Sequence, residues 1–201
     1  MCGQLRKPKL KKHIRVKVYK GFNAKVVKIL SEGGVGVVPT DTIYGLVGSA
    51  LFRTTVSRIY CLKKRNPKKP LIVLISSPEE FEYFGIKLST SQSNLISPWP
   101  NRSSIIFPCR QQKFKYLHRG TGSIAFRIPD NKKLITLLKL TGPLVAPSAN
   151  PEGELPAQSI ERAIKYFDGE VEFYVNGGRK NKKPSSLFRL INNELISLVR
   201  K

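Results

Sequence analysis

The sequence predicts an α/β domain: a twisted mixed sheet with flanking helices. Three observations carry this. Short apolar runs bounded by glycine or proline recur along the chain and read as buried strands. Between them lie segments with a single apolar face and recognisable caps, which read as helices. Two adjacent strand candidates at 104–128 and a hairpin pattern near residue 192 add antiparallel members to a sheet that strand–helix alternation alone would make parallel.

Ile14–Tyr19 ends a basic arm and predicts a short strand. Asn23 caps a helix with Val26, Val27, Ile29 and Leu30 on one face, ending near Gly33 and Gly34. Val35–Val38 is a buried strand. Thr54 or Thr55 starts a second helix that turns Val56, Ile59, Tyr60 and Leu62 inward, and Leu71–Ile75 is again a buried strand. Ser77, Pro78 and Glu80 spell a capping box with proline at the first helical position. Residues 85–103, rich in Ser, Pro and Asn, read as loop. Ser104–Phe107 and Ser123–Ile128 are strands. Asp130 caps a helix with Leu134, Leu137 and Leu138 on one face, closed by Gly142. Pro143–Ala146 is a strand, Ser159 caps a helix through Phe167 that stops at Gly169, and Val171–Val175 is a strand. Ser186–Ile191, Asn192-Asn193 and Leu195–Val199 form the hairpin. No internal repeat or long Pro/Gly linker divides the chain, so the expectation is a basic arm at 1–18 and one domain at 19–201.

Charge narrows the class of partner. The chain has 36 Lys+Arg against 13 Asp+Glu, a net +23, and no carboxylate before Glu32. Such a surface attracts polyanions: nucleotides, nucleic acid or an anionic membrane. No apolar run approaches the roughly 20 residues that cross a bilayer, and the N-terminal segment lacks the apolar stretch of a secretory signal. Cys2, Cys61 and Cys109 are too dispersed for a zinc site and fit a reducing, cytoplasmic setting. His13 and His118 are the only histidines, so no histidine-rich metal site is expected.

Four polar clusters sit where strands end, the place where open α/β sheets bind ligands. Pro39-Thr40-Asp41-Thr42-Ile43-Tyr44-Gly45-Leu46 puts an acid between two hydroxyls; a plain hydrogen-bonded turn would use the same residues. Lys63-Lys64-Arg65-Asn66-Pro67-Lys68-Lys69-Pro70 packs five cations into seven residues ahead of a buried strand. Helix C-termini favour one or two cations; five suggest a phosphate site, with arginine as a planar fork and lysine as a point charge. Pro147-Ser148-Ala149-Asn150 offers neutral donors and acceptors. Arg127 lies inside an apolar strand, where a charge needs a partner: Asp41, Asp130 or a ligand carboxylate. There is no Walker-type loop, no dinucleotide fingerprint and no nucleophile elbow.

Together these segments resemble the YrdC-like family of threonylcarbamoyl-AMP synthases, from about Gly21 to Arg200. The strongest signature is K-x-R followed later by S-x-N: Lys63 and Arg65, then Ser148 and Asn150. P-T-[DE]-T-x-Y-G-L matches at Pro39–Leu46 and A-x-R-x-P-D at Ala125–Asp130. Four departures stand out. Asn66 takes the place of a usual proline, and Pro100-Asn101-Arg102-Ser103-Ser104 replaces Pro-Gly-Pro-x-Thr. Pro151-Glu152-Gly153 follows S-x-N where the pattern has x-S-G, and Pro184-Ser185-Ser186 replaces a fuller Ser/Thr segment.

The resemblance implies the short single-domain form, with a large basic cavity holding ATP and threonine and Mg²⁺ on the phosphates. It implies that Lys63 and Arg65 are catalytic. Lys63, Arg65, Lys69, Ser104, Ser148, Asn150 and Arg200 would hold the nucleotide, and Thr40, Thr42, Tyr44, Arg127 and Ser185 the threonine. The reaction it implies joins L-threonine, bicarbonate or CO₂, and ATP into threonylcarbamoyl-AMP with release of pyrophosphate. The product passes to a separate tRNA threonylcarbamoyl transferase. Two other readings stay open. One is a double-stranded RNA or tRNA binding module without synthase activity, which the charge favours. The other is an α/β enzyme of a different carbamoyl or nucleotide substrate.

Overall fold

A computed structural model describes residues 16–191 and 194–198. Their strands join in one ten-stranded sheet. In chain order the elements are β1 (Val18–Tyr19), α1 (Ala24–Ser31), β2 (Val35–Pro39), β3 (Tyr44–Ser49), α2 (Arg53–Leu62), β4 (Ile72–Leu74), α3 (Thr90–Ile96), β5 (Ser103–Pro108), α4 (Lys115–His118), β6 (Ser123–Arg127), α5 (Lys132–Thr141), β7 (Leu144–Val145), α6 (Ile160–Phe167), β8 (Phe173–Val175), β9 (Ser186–Ile191) and β10 (Glu194–Leu198). The sheet order is β1-β8-β2-β3-β7-β4-β6-β5-β9-β10. Pairings are mixed. β2 runs parallel to β8 but antiparallel to β3, and β4 runs parallel to β6 but antiparallel to β7. The expected mixed sheet with flanking helices is therefore present.

Both faces are covered. α1 and α5 bury Val26, Leu30, Leu134, Leu137 and Leu138 against Val38, Val47, Leu74 and Phe173. On the other face α2, α6 and a 3₁₀ turn at Pro78–Phe84 bury Val56, Ile59, Phe81, Phe84, Ala163 and Phe167 against Val35, Val37, Val73 and Phe126. Val37 and Val38 thus serve opposite faces, which is why β2 reads as a continuous apolar run rather than an alternating one. Gly36 is needed for this packing: a Cβ there would meet the Phe173 ring at 2.3 Å.

Several local expectations shift. Asn23 and Ser159 cap α1 and α6 as read. α5 is capped by Asn131, whose Oδ1 accepts from Leu134 N at 3.2 Å, and not by Asp130, whose backbone N–H is committed to Asp41. α2 starts at Arg53 after Phe52, without a side-chain cap, because Thr55 Oγ1 donates instead to Gly33 O at 2.6 Å. Ser77 makes no cap; Glu80 accepts from Ser76. The stretch at 85–103 is not all loop. α3 forms inside it, with a true capping box between Ser89 and Gln92. β3 and α4 were not foreseen as elements. The hairpin pairs Ile191 with Glu194 and Leu187 with Leu198; its Asn192-Asn193 turn, and most of the basic arm, lie outside the described residues. No described helix is long and apolar enough to cross a membrane.

Candidate active site

The turn between β2 and β3 builds one wall. Thr40 Oγ1 donates to Ile43 O at 2.6 Å and accepts from the backbone N–H groups of Thr42 and Ile43, both at 3.2 Å. This closes a tight hydroxyl turn that turns the chain straight back into β3. Thr40, Asp41 and Thr42 are all buried. Arg127, the last residue of β6, enters from the neighbouring part of the sheet. Its guanidinium pairs with the Asp41 carboxylate and donates from Nη1 to Thr42 Oγ1 at 3.3 Å. Asp41 also accepts from Asp130 N at 3.2 Å. Burial pulls the Arg127 guanidinium below its ordinary range, and Asp41 opposes that pull. Arg127 Nε and Asp41 Oδ1 are buried without a partner among the described residues.

Tyr44 sets the opposite rim. Its hydroxyl donates to Gly178 O at 2.8 Å and accepts from Gly177 N at 3.0 Å, so a side chain of β3 pins the 176–178 turn. A Cβ on Gly177 would meet the Pro39 ring at 2.4 Å, so glycine is required for that approach. Ser185, beyond this turn, hydrogen-bonds through Oγ to Ser104 Oγ of β5 at 2.9 Å, and both are buried.

These groups enclose a cavity of about 110 Å³ lined by Thr40, Thr42, Tyr44, Arg127, Ser148 and Ser185, with Gly45, Leu74, Pro147 and Pro156 among its apolar walls. A water needs only about 10–15 Å³ on this measure, so the hollow takes a small molecule on the scale of an amino acid. An adjoining hollow of about 670 Å³ shares Pro156 and is lined by Arg162, Arg179, Asn176 and Gly178.

The Ser148–Asn150 segment is tied to the cationic loop through Lys63. Lys63 caps α2 with 1% of its surface exposed, and its ammonium donates to Ser148 O and Asn150 O, each at 2.5 Å. Burial pushes the ammonium down to about 7; Arg65 adds to this and Glu152 resists it. Arg65 donates to Lys69 O and Pro70 O at 3.2 Å. Glu152 Oε1 pairs with Lys69 Nζ at 2.7 Å and its Oε2 accepts from Asn66 N at 2.6 Å. Asn150 Nδ2 donates to Pro151 O and Glu154 O, and its Oδ1 is buried without a partner among the described residues.

Residues 28–201 match the Sua5_yciO_yrdC domain, described as telomere recombination. The chain belongs to the Sua5/YciO/YrdC family. It is 31% identical over 176 residues to the threonylcarbamoyl-AMP synthase of Stutzerimonas stutzeri (strain A1501), covering 86% of this chain and 94% of that one. It is 30% identical over 158 residues to the Bacillus subtilis (strain 168) protein of the same name, of which it covers 46%. Among solved structures, Pyrococcus abyssi Sua5 in complex with L-threonine superposes with a TM-score of 0.77 at 27% identity, over 87% of this chain and 54% of that one. Escherichia coli YciO, at 19% identity and a TM-score of 0.76, shares the fold.

For this Sua5/YciO/YrdC member the structure sorts the sequence-derived site residues into two groups. Thr40, Thr42, Tyr44, Arg127 and Ser185 line one cavity, and Ser148 joins them. Lys63, Arg65, Lys69 and Asn150 are not among the cavity-lining residues: Lys63 is bonded to the Asn150 carbonyl, Arg65 to the Lys69 carbonyl and Lys69 to Glu152, while Ser104 supports Ser185. Arg200 lies outside the described residues. Of the three partners open to Arg127, the side-chain partner is Asp41. Two contributors were not singled out as site residues. Asp41 was legible as the acid between two hydroxyls. Glu152 carried only the signal of a carboxylate where the family pattern has serine.

Proposed function

We propose that the chain makes threonylcarbamoyl-AMP from L-threonine, bicarbonate or CO₂, and ATP, releasing pyrophosphate. The observation that carries this is the convergence of Thr40, Thr42, Tyr44, Arg127 and Ser185 on one amino-acid-sized cavity, one of whose lining residues, Ser148, is held through its carbonyl by Lys63. In a chain of this family that arrangement supports threonine inside the cavity, with its carboxylate drawn to Arg127 and Thr42. The threonine amine takes up CO₂ to give a carbamate. The carbamate oxygen attacks the α-phosphate, and the bond to the β,γ-pyrophosphate breaks. Negative charge moves onto the leaving oxygens, and cations of the 63–69 loop are suited to stabilise it by position and field rather than by covalent catalysis. Lys63 acts through the segment it holds, and Arg65 and Lys69 are the cations nearer to solvent.

Mg²⁺ belongs to this reading as part of the Mg–ATP substrate. Among the described residues no group of three His, Cys, Asp or Glu can cage a metal, whereas Mg²⁺ typically keeps its waters and rides on substrate phosphates. The tRNA transferase that accepts the product, and hence a cytoplasmic setting, complete the proposal. Arg53, Lys113, Lys115 and Arg119 line a separate hollow of about 460 Å³ without a carboxylate, which supports direct RNA contact beside catalysis.

The test is pyrophosphate release with threonine, bicarbonate or ATP omitted in turn. Release that requires all three is expected. RNA binding with no pyrophosphate formed would return the reading to a binding module.

A further inference from the structure

We propose that Glu152 is an internal stand-in for phosphate: its carboxylate occupies the anion position of the 63–69 loop, and ATP must displace it to engage Lys69 and the Asn66 N–H. The inference rests on the nucleotide reading above and deepens it.

The loop is cationic, yet the anion bonded to it belongs to the chain itself. One carboxylate oxygen takes an ammonium at 2.7 Å and the other a backbone N–H at 2.6 Å. A phosphate oxygen pair is recognised by the same two kinds of donor. Glu152 is held in place from its own main chain, whose N–H donates to Lys63 O at 2.7 Å. Lys69 and the Asn66 N–H keep the carboxylate below its usual range, so it is charged at neutral pH.

Asn66 and Glu152 are two of the positions at which the chain differs from the sequence motifs it resembles. Asn66 brings an N–H where proline has none, and Glu152 brings a carboxylate where serine stands. The two departures meet in space. Lys69 and Glu152 keep 59% and 28% of their side-chain surface, so the pair is weak enough to open. It works as a competitor rather than a lock.

A structural staple and a competitor predict opposite signs. Glu152→Gln keeps an acceptor for Asn66 and removes the charge. Titration calorimetry with inorganic tripolyphosphate should show Glu152→Gln binding about two- to fivefold tighter than the parent protein. The KM for ATP should fall by a similar factor while that for threonine holds. Lys69→Ala should erase the difference. Equal or weaker tripolyphosphate binding by Glu152→Gln overturns the proposal. So does weakening seen only with Mg²⁺, which would make Glu152 a metal ligand. Glu152→Ser, the pattern's own residue, provides the comparison should the glutamine variant melt early; if neither folds, Glu152 is a staple and the proposal fails. A parent protein that releases no pyrophosphate defeats the synthase reading, and the tripolyphosphate comparison still decides the role of Glu152.

Discussion

Arg127 and Asp41 depend on each other, because each is a charge buried among residues that offer little else. Removing one partner strands the other. Arg127→Ala should therefore cost about 3–5 kcal/mol of folding stability, read from urea midpoints. A loss under 1 kcal/mol would mean that Asp41 is solvated and the pair is incidental. Lys63 makes a different prediction, through protons. Its ammonium titrates near 7 in the folded chain, below its ordinary value of 10.5. The unfolded chain thus binds more protons between those two values, so this group makes stability rise with pH across that window and adds no slope below about 7, where both states are protonated. Lys63→Met should flatten the slope. ATP bound nearby favours the charged ammonium, so binding near pH 8 should take up protons. Calorimetry in buffers of different ionisation enthalpy measures that uptake directly; proton release would have the wrong sign.

At the scale of the element, what was legible depended on whether the signal was local. Asn23 and Ser159 announce their helices because a cap is a contact with a backbone N–H three residues on. β2 was legible as a short apolar run. β3 was not, since Tyr44–Ser49 contains Gly45 and Gly48 and follows a tight turn closed by the Thr40 hydroxyl. α3 was hidden by its own composition: Thr-Ser-Gln-Ser-Asn reads as loop, and only the Ser89–Gln92 box and the burial of Ile96 make it a helix. Ser89→Ala should accordingly cost about 1 kcal/mol, with the far-ultraviolet signal otherwise unchanged. The cavity followed the same rule. Hydroxyls and Arg127 at strand ends could be read, but the carbonyls that hold Lys63, and the Gly177–Gly178 peptide groups that hold Tyr44, have no side-chain signature. Tyr44→Phe tests that last contact. It frees the 176–178 turn at a cost of about 0.5–1.5 kcal/mol, and backbone amides at 177–185 should exchange faster while those of α1 do not.

Over the whole molecule, 36 cations against 13 carboxylates act on folding and on binding with opposite signs. Like charges repel each other more in the compact state than in the expanded one, so a net +23 lowers stability at low ionic strength. Salt screens that repulsion over a Debye length of about 10 Å at 0.1 M. The ion pair of Arg127 with Asp41 is buried and is screened far less than the exposed lysines. Raising sodium chloride from about 20 to about 300 mM, a range across which the Debye length falls several-fold, should therefore raise the melting temperature. Affinity for ATP or RNA should fall over the same range, because the same cations then attract phosphate less and counterions released from the phosphates gain less free energy in saltier solution. One protein sample measured by scanning calorimetry and by filter binding across that series gives both slopes. If stability and affinity both fell with salt, exposed ion pairs such as Lys69–Glu152 and Arg58–Glu172 would have to outweigh the general repulsion, and the excess charge would not be the dominant field of this molecule.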